Sequence, residues 1–202
     1  MPRLRWAKVL VFAACLTPVF WLCWRAWNQN LTANPIEFIT RYTGDWTIRF
    51  VVLTLAVTPL RKVLGLPDLI RFRRMIGLFA FFYGTLHFIT YIWLDKFFDL
   101  PDMWKDVAKR PFITAGFTAF VLMVPLAVTS TTGWIRRMGG KRWQLLHRLI
   151  YVTGLAGVTH YYWLVKSDTR LPALYASLFW LLMGYRAVAW AMKRRAAKRR
   201  PG

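Results

Sequence analysis

Carboxylates are the scarcest functional groups in this chain: eight Asp and Glu stand against 29 Lys and Arg in 202 residues, a net charge of +21. None lies deep in an apolar run. That argues against a proton- or metal-coupled transporter, which wants acidic relays inside its spans. Cysteine is rarer still. Cys15 and Cys23 share the first apolar run, with no C-x-x-C and no C-x-x-C-H, so covalent haem attachment has no motif here. Both cysteines read as small buried apolar residues. No internal repeat, low-complexity linker or long polar segment is present, which leaves no soluble domain. Residues 1–202 read as a single domain.

What the chain has is apolar length. Hydrophobic residues make up 57% and aromatics 17%, with 12 tryptophans, a composition unusual for a soluble domain carrying so much charge. Crossing the hydrocarbon of a bilayer takes about 20 apolar residues, and six runs qualify: about 7–27, 46–63, 75–94, 112–129, 143–165 and 173–192. The fold expected is an all-α bundle of six transmembrane helices. The basic start MPRLRWAK is not followed by a small-x-small cleavage site, so the first run is expected to be an uncleaved helix.

Charge placement sets the orientation. With the N-terminus inside, segments 1–8, 61–74, 130–142 and 193–202 hold eighteen Lys and Arg and one acid, Asp68. The other side carries eight cations against seven acids. The positive-inside rule then puts both termini in the cytoplasm of a multi-pass membrane protein. Because the cations alternate in step with the spans, nucleic acid is not the expected partner. The tail KRRAAKRRPG reads as an anchor at anionic membrane lipid.

All three histidines fall inside spans, where an ionisable side chain marks a functional site. A helix rises about 1.5 Å per residue, so His87 lies roughly 12 Å below the outer edge and His160 roughly 9 Å below it. The two are nearly level on the third and fifth spans. Zinc or copper would want three or four close ligands, and no third ligand lies at that depth. A single haem, ligated on both faces by His87 and His160, fits better. With both axial positions filled, such an iron favours electron transfer over substrate chemistry. Gly84 and Gly157 would let a macrocycle approach the backbone, or serve ordinary small-residue packing. Arg49 either meets a haem propionate or pairs with Asp45; Arg41, Lys166 and Arg170 are further candidates for the propionates. Tyr91, Trp93, Tyr161, Tyr162 and Trp163 read as an interfacial aromatic belt.

His147 lies on the inner side, about 8 Å from the membrane edge, and cannot share a plane with His87. The positions that would supply its partner on the third span are Arg73 and Arg74. Met75 beside them reads as filler. On a straight helix His147 and His160 lie some 220° apart, so both face one interior only if the helix bends near Gly154 or Gly157. A second bis-histidine haem is therefore not expected. The cations Arg73, Arg74, Arg136, Arg137, Lys141 and Arg142 could receive a flavin phosphate or an anionic partner, but read chiefly as positive-inside residues.

The stretches RRMIGLFAFFYGTLHFITYIWLD, KRPFITAGFTAFVLMVPLAVTS and KRWQLLHRLIYVTGLAGVTHYYWLVK resemble the haem-binding membrane subunit of the bacterial protein-methionine-sulfoxide reductase system, the MsrQ type of the ferric-reductase-like transmembrane group. The similarity covers nearly the whole chain. It rests most firmly on RWQ-x-x-H-R with a second histidine thirteen residues on. It implies a bacterial inner-membrane protein binding b-type haem and FMN. Electrons would come from the quinone pool or a cytosolic flavin reductase and pass to a periplasmic molybdopterin reductase that repairs oxidised methionine. It also implies that His87, His147 and His160 are the family's three histidines, with His147 at an inner cofactor or quinone site. The wider group carries four histidines on these spans. This chain has arginines at the fourth place, so two-haem conduction is not expected, and neither is a nucleotide site. On this reading the chain relays electrons and leaves substrate chemistry to its partner. A stand-alone ferric or cupric reductase would share the same core.

Overall fold

The computed structural model describes residues 2–198; Met1 and the last four residues of the basic tail lie outside the described residues. Within them the chain is all-helical. In order come α1 (Pro2–Trp27), α2 (Pro35–Val63), a 3-10 turn (Pro67–Arg71) and α3 (Arg73–Ile89). A π-helical segment (Thr90–Asp95) continues α3, followed by α4 (Leu100–Lys109) and α5 (Pro111–Val128). Last are α6 (Thr132–Met138), α7 (Gly140–Leu146), α8 (Leu149–Leu164) and α9 (Arg170–Lys198). Local sequence sets the ends. Pro35, Pro101 and Pro111 open helices where a missing N–H costs nothing. The side chains of Asn34, Asp99 and Thr131 cap α2, α4 and α6. Gly65, at φ 65°, turns the chain out of α2.

Two helix pairs dominate the packing, α2 against α3 and α5 against α8, with α3 touching α5 and α9 bridging α8 and α2. Leu55 and Tyr83 are fully buried at the centre, with Phe50, Phe79 and Phe179 around them. Prolines inside helices are compensated by side chains. Pro59 cannot donate to the carbonyl of Leu55; Arg186 of α9 donates to it instead, and to Leu182. In α1, where Pro18 interrupts the ladder, the Tyr83 hydroxyl donates to the Cys15 carbonyl at 2.9 Å and accepts from the Val19 amide at 3.2 Å. Thr17 donates to the Ala14 carbonyl that Pro18 leaves free. Of the two free cysteines, Cys15 is buried as expected; Cys23 is exposed, because the outer face of α1 has no protein against it.

Four helical stretches are long and apolar enough to cross a membrane: Leu4–Trp27, Arg73–Asp95, Pro111–Val128 and Arg170–Ala197. Their outward faces carry large apolar side chains such as Trp24, Phe20, Trp180 and Leu181, the surface a bilayer would cover. α2 has the length, but Arg41, Asp45 and Arg49 lie along it. The expected single helix over 143–165 is in fact two. At His147 and Arg148 the bonding tightens to i→i+3, Arg148 N to Leu145 O and Ile150 N to His147 O, which separates α7 from the 16-residue α8. The distortion needed between His147 and His160 therefore lies at His147 itself, not at Gly154 or Gly157. Between the third and fourth expected spans, Leu100–Lys109 forms the amphipathic helix α4.

Candidate functional site

α3 and α8 bring His87 and His160 together, with ring centroids 6.1 Å apart and planes at 69°. Each ring is seated in the same way. His87 Nδ1 lies 2.9 Å from the Thr40 carbonyl of α2, and His160 Nδ1 lies 2.6 Å from the Phe112 carbonyl of α5. A carbonyl only accepts, so each Nδ1 carries the proton and donates. Each Nε2 then holds a free lone pair, and neither makes a hydrogen bond among the described residues. Four residues beyond each acceptor is a glycine. A Cβ at Gly44 would stand 3.1 Å from His87 Cε1, and one at Gly116 would stand 2.7 Å from His160 Nδ1. Both imidazoles thus lie directly on a helix backbone, held by the turn they touch. This is the support that metal-ligating histidines characteristically have.

The spacing suits one metal ion between the rings. Two imidazoles, each with a metal–nitrogen bond of about 2 Å to an ion between them, are compatible with ring centroids 6.1 Å apart. Among the described residues no group of three or more His, Cys, Asp and Glu could hold a bare ion. The donor set therefore fits a metal that arrives with its own equatorial ligands, as in a porphyrin. Around the pair is a cavity of about 920 Å3. Ile48, Val51, Phe88, Phe117, Phe120 and Met123 give it apolar walls, and Gly84 and Gly157 line it as well. Gly84 has Met123 Cε 2.8 Å from its would-be Cβ, so at that position the missing side chain makes room for methionine.

At the outer end the cavity is lined by α4, through Leu100, Met103, Trp104 and Val107. This helix is held by an ion cluster. Lys96 Nζ sits 2.6 Å from Asp102 and 2.5 Å from Asp106, and Asp106 also meets Arg110 Nε at 3.4 Å. The two carboxylates push the Lys96 ammonium above its ordinary range, and Lys96 in turn holds Asp102 below the usual carboxylate value. A lowered acid contributes stability above its unfolded pKa of 3.8 and loses it as pH falls through the lowered value. A raised lysine contributes below 10.5 and loses it only as pH rises through the raised value. Protection of the α4 amides, measured by hydrogen exchange relative to intrinsic rates, is expected to be flat between these limits and to fall outside them. Lys96→Met should lower it between these limits and make little difference outside them, where wild type has already lost the ion pair.

The other expected site residues lie elsewhere. Arg49 is half-buried; its Nε donates to the Tyr175 hydroxyl at 3.0 Å and its guanidinium lies 4.6 Å over Trp46. It is not among the residues lining the cavity, and no ion pair joins it to Asp45 among the described residues. Arg41 does line the cavity. His147 is stacked on Trp143 at 3.9 Å, and its Nε2 is 3.0 Å from Thr129 Oγ1. Thr129 spends its own proton on the Pro125 carbonyl, so His147 Nε2 donates. Trp143 Nε1 donates to the Thr129 carbonyl. Met75 packs against the core. Of the inner cations Arg73, Arg74, Arg136, Arg137, Lys141 and Arg142, all but Arg73 are exposed. Gly44, Gly116, the carbonyls of Thr40 and Phe112, and α4 were not singled out by sequence. Asp99 three residues before Asp102, ahead of a helical apolar stripe, was a usable signal for α4.

Residues 11–158 match the family model described as ferric reductase like transmembrane component, which gives the class. Curated relatives carry the name protein-methionine-sulfoxide reductase heme-binding subunit MsrQ. The protein of Herminiimonas arsenicoxydans is 52% identical over 197 residues, covering 96% of this chain and 90% of the relative. Those of Caulobacter vibrioides and Polaromonas naphthalenivorans are 48% and 50% identical, each over 192 residues, covering 95% and 94% of this chain and 90% and 88% of the relatives. The chain belongs to this MsrQ family. No solved structure matches it.

Proposed function

We propose that this protein is the haem-binding membrane subunit of a protein-methionine-sulfoxide reductase, and that it holds one b-type haem between His87 and His160. The observation that carries the reading is the ring pair: two imidazoles 6.1 Å apart, each with Nδ1 fixed on a carbonyl and Nε2 free. When bound, the haem would supply one-electron redox chemistry. The chain's part is to keep both imidazoles neutral, oriented and close, and to keep water away with the apolar cavity wall. Family membership and the names of the relatives support the same reading.

The proposed topology has six crossings, made by α1, α2, α3 with its π-helical extension, α5, α7 with α8, and α9. α4 lies on the outer surface. The Lys and Arg bias supports cytoplasmic termini; the proposed arrangement is a single domain over 1–202 in a bacterial inner membrane. The histidine pair would then lie in the outer half, toward a periplasmic molybdopterin subunit that receives the electrons. Quinol, or a cytosolic flavin reductase, is the proposed donor. We place the quinone or an inner cofactor near His147, and FMN among the inner arginines. Arg49, bound to Tyr175, is proposed to steady α2 behind the pair.

The test is electron transfer in proteoliposomes carrying quinol and the purified protein, with the molybdopterin partner outside. Methionine sulfoxide reduction is expected to require both proteins and to stop in His160→Ala. Reduction of ferric chelates without turnover of the partner would instead make the chain a stand-alone metal reductase.

A further inference from the structure

The cavity has two buried hydroxyls without a hydrogen-bond partner, Tyr91 Oη and Thr153 Oγ1, and both residues line it. They lie at opposite ends. Thr153 sits two turns inward of His160 on α8, one turn before Gly157. Tyr91 sits one turn outward of His87, in the π-helical segment. The two cations lining the cavity, Arg41 and Arg110, belong to the outer end with Tyr91. Arg41 is committed to Glu37, with its Nη2 2.8 Å from that carboxylate. Arg110 meets Asp106 only through Nε, at 3.4 Å. Asp106, Asp95 and Asp102 lie within electrostatic reach of Tyr91, and so does Lys96, which pairs with Asp102 and Asp106; the phenol and the Arg110 guanidinium thus both face the neighbourhood of Asp106.

A buried, unpaired donor is costly unless it awaits an acceptor. A carboxylate is the acceptor that a phenol and a guanidinium together select. The outer rim also carries Asp45, Asp95, Glu37 and Asp168, so an incoming carboxylate has few places to settle. Glu37 and Asp168 are neutralised by Arg41 and Arg170, which leaves Asp45 and Asp95 to repel it. At the inner end no cation among the described residues lines the cavity, and a carboxylate cannot be left there unpaired.

Resting on the haem reading, we infer that Tyr91 and Arg110 bind a propionate of the haem and so fix which edge of the macrocycle faces outward. They are binding residues for the carboxylate, distinct from the iron ligands. The π-helical turn has a part in this, since it shapes the backbone from which Tyr91 projects.

The experiment uses the full chain in detergent, loaded either with haem or with haem dimethyl ester, whose propionates are capped. Release to excess apomyoglobin is timed optically. A charge-assisted hydrogen bond of ordinary strength predicts that wild type loses the ester about tenfold or more faster than haem. In Tyr91→Phe and in Arg110→Gln that ratio should shrink, and in the double variant it should approach one. Arg110→Lys should restore part of it. Variants that release both compounds faster with the wild-type ratio would show only a structural role, and the inference would fall. A wild-type ratio of one would also overturn it while leaving the histidine pair intact. If His87→Ala still retained haem, the haem reading itself would fail, a result separate from either of these.

Discussion

His87→Ala and His160→Ala are each expected to purify without a Soret band, while His147→Ala keeps its colour. The asymmetry follows from what each ring does with its nitrogens. His87 and His160 spend Nδ1 on the carbonyls of Thr40 and Phe112 and leave Nε2 without a hydrogen bond among the described residues, with their rings 6.1 Å apart. His147 spends Nε2 on Thr129 and lies flat on Trp143, so its loss removes a local hydrogen bond at the turn between α7 and α8. The cavity walls are apolar and contribute affinity of their own. Even so, losing one of two axial ligands should exceed the 10–100-fold typical of a lost supporting contact. Absorbance per protein after gel filtration, with haem quantified as its pyridine complex, checks the result. Colour lost only in His147→Ala would place the cofactor at the inner end.

Gly116→Ala is expected to cost nearly as much without touching a ligand. The new methyl would stand 2.7 Å from His160 Nδ1 and 2.9 Å from Cε1, closer than carbon and nitrogen tolerate. The ring sits over the backbone of α5 and is tied to it by the Phe112 bond, so it must tilt away and lose that bond. Gly44→Ala is milder, because its nearest approach to His87 is 3.1 Å and a few tenths of an ångström relieve it. Haem retention should therefore fall in the order wild type, Gly44→Ala, Gly116→Ala, with the last about 10–100-fold weaker. The low-spin signal should broaden or split in Gly116→Ala. Equal retention in all three proteins would mean that the rings are not held by the backbones they touch.

The histidine pair was legible from sequence because helical rise is nearly constant: counting residues inward from Asp95 and Lys166 put His87 and His160 level, and the structure brings the rings together. What held them was not legible. Thr40 and Phe112 act through their carbonyls, which every residue has, and Gly44 and Gly116 matter only because α2 packs on α3 and α5 on α8. The break at His147 was equally hidden. Leu-Leu-His-Arg-Leu contains no glycine or proline, and the turn goes with the Trp143–His147–Thr129 cluster, a tertiary contact. Arg49 pointed to an anion by charge alone, while the structure turns it to Tyr175. α4 was passed over because hydropathy over a long window averages away a ten-residue amphipathic helix between charged ends.

The central claim, that these two imidazoles ligate one iron from opposite faces, is tested most directly by electron paramagnetic resonance of the oxidised purified protein, with carbon monoxide added to the reduced form. A low-spin ferric signal and a reduced spectrum unmoved by carbon monoxide are the expected results, because ligation by both imidazoles would leave no axial position open. A high-spin signal, or a Soret band that shifts on adding carbon monoxide, would show an unfilled sixth position and contradict the assignment.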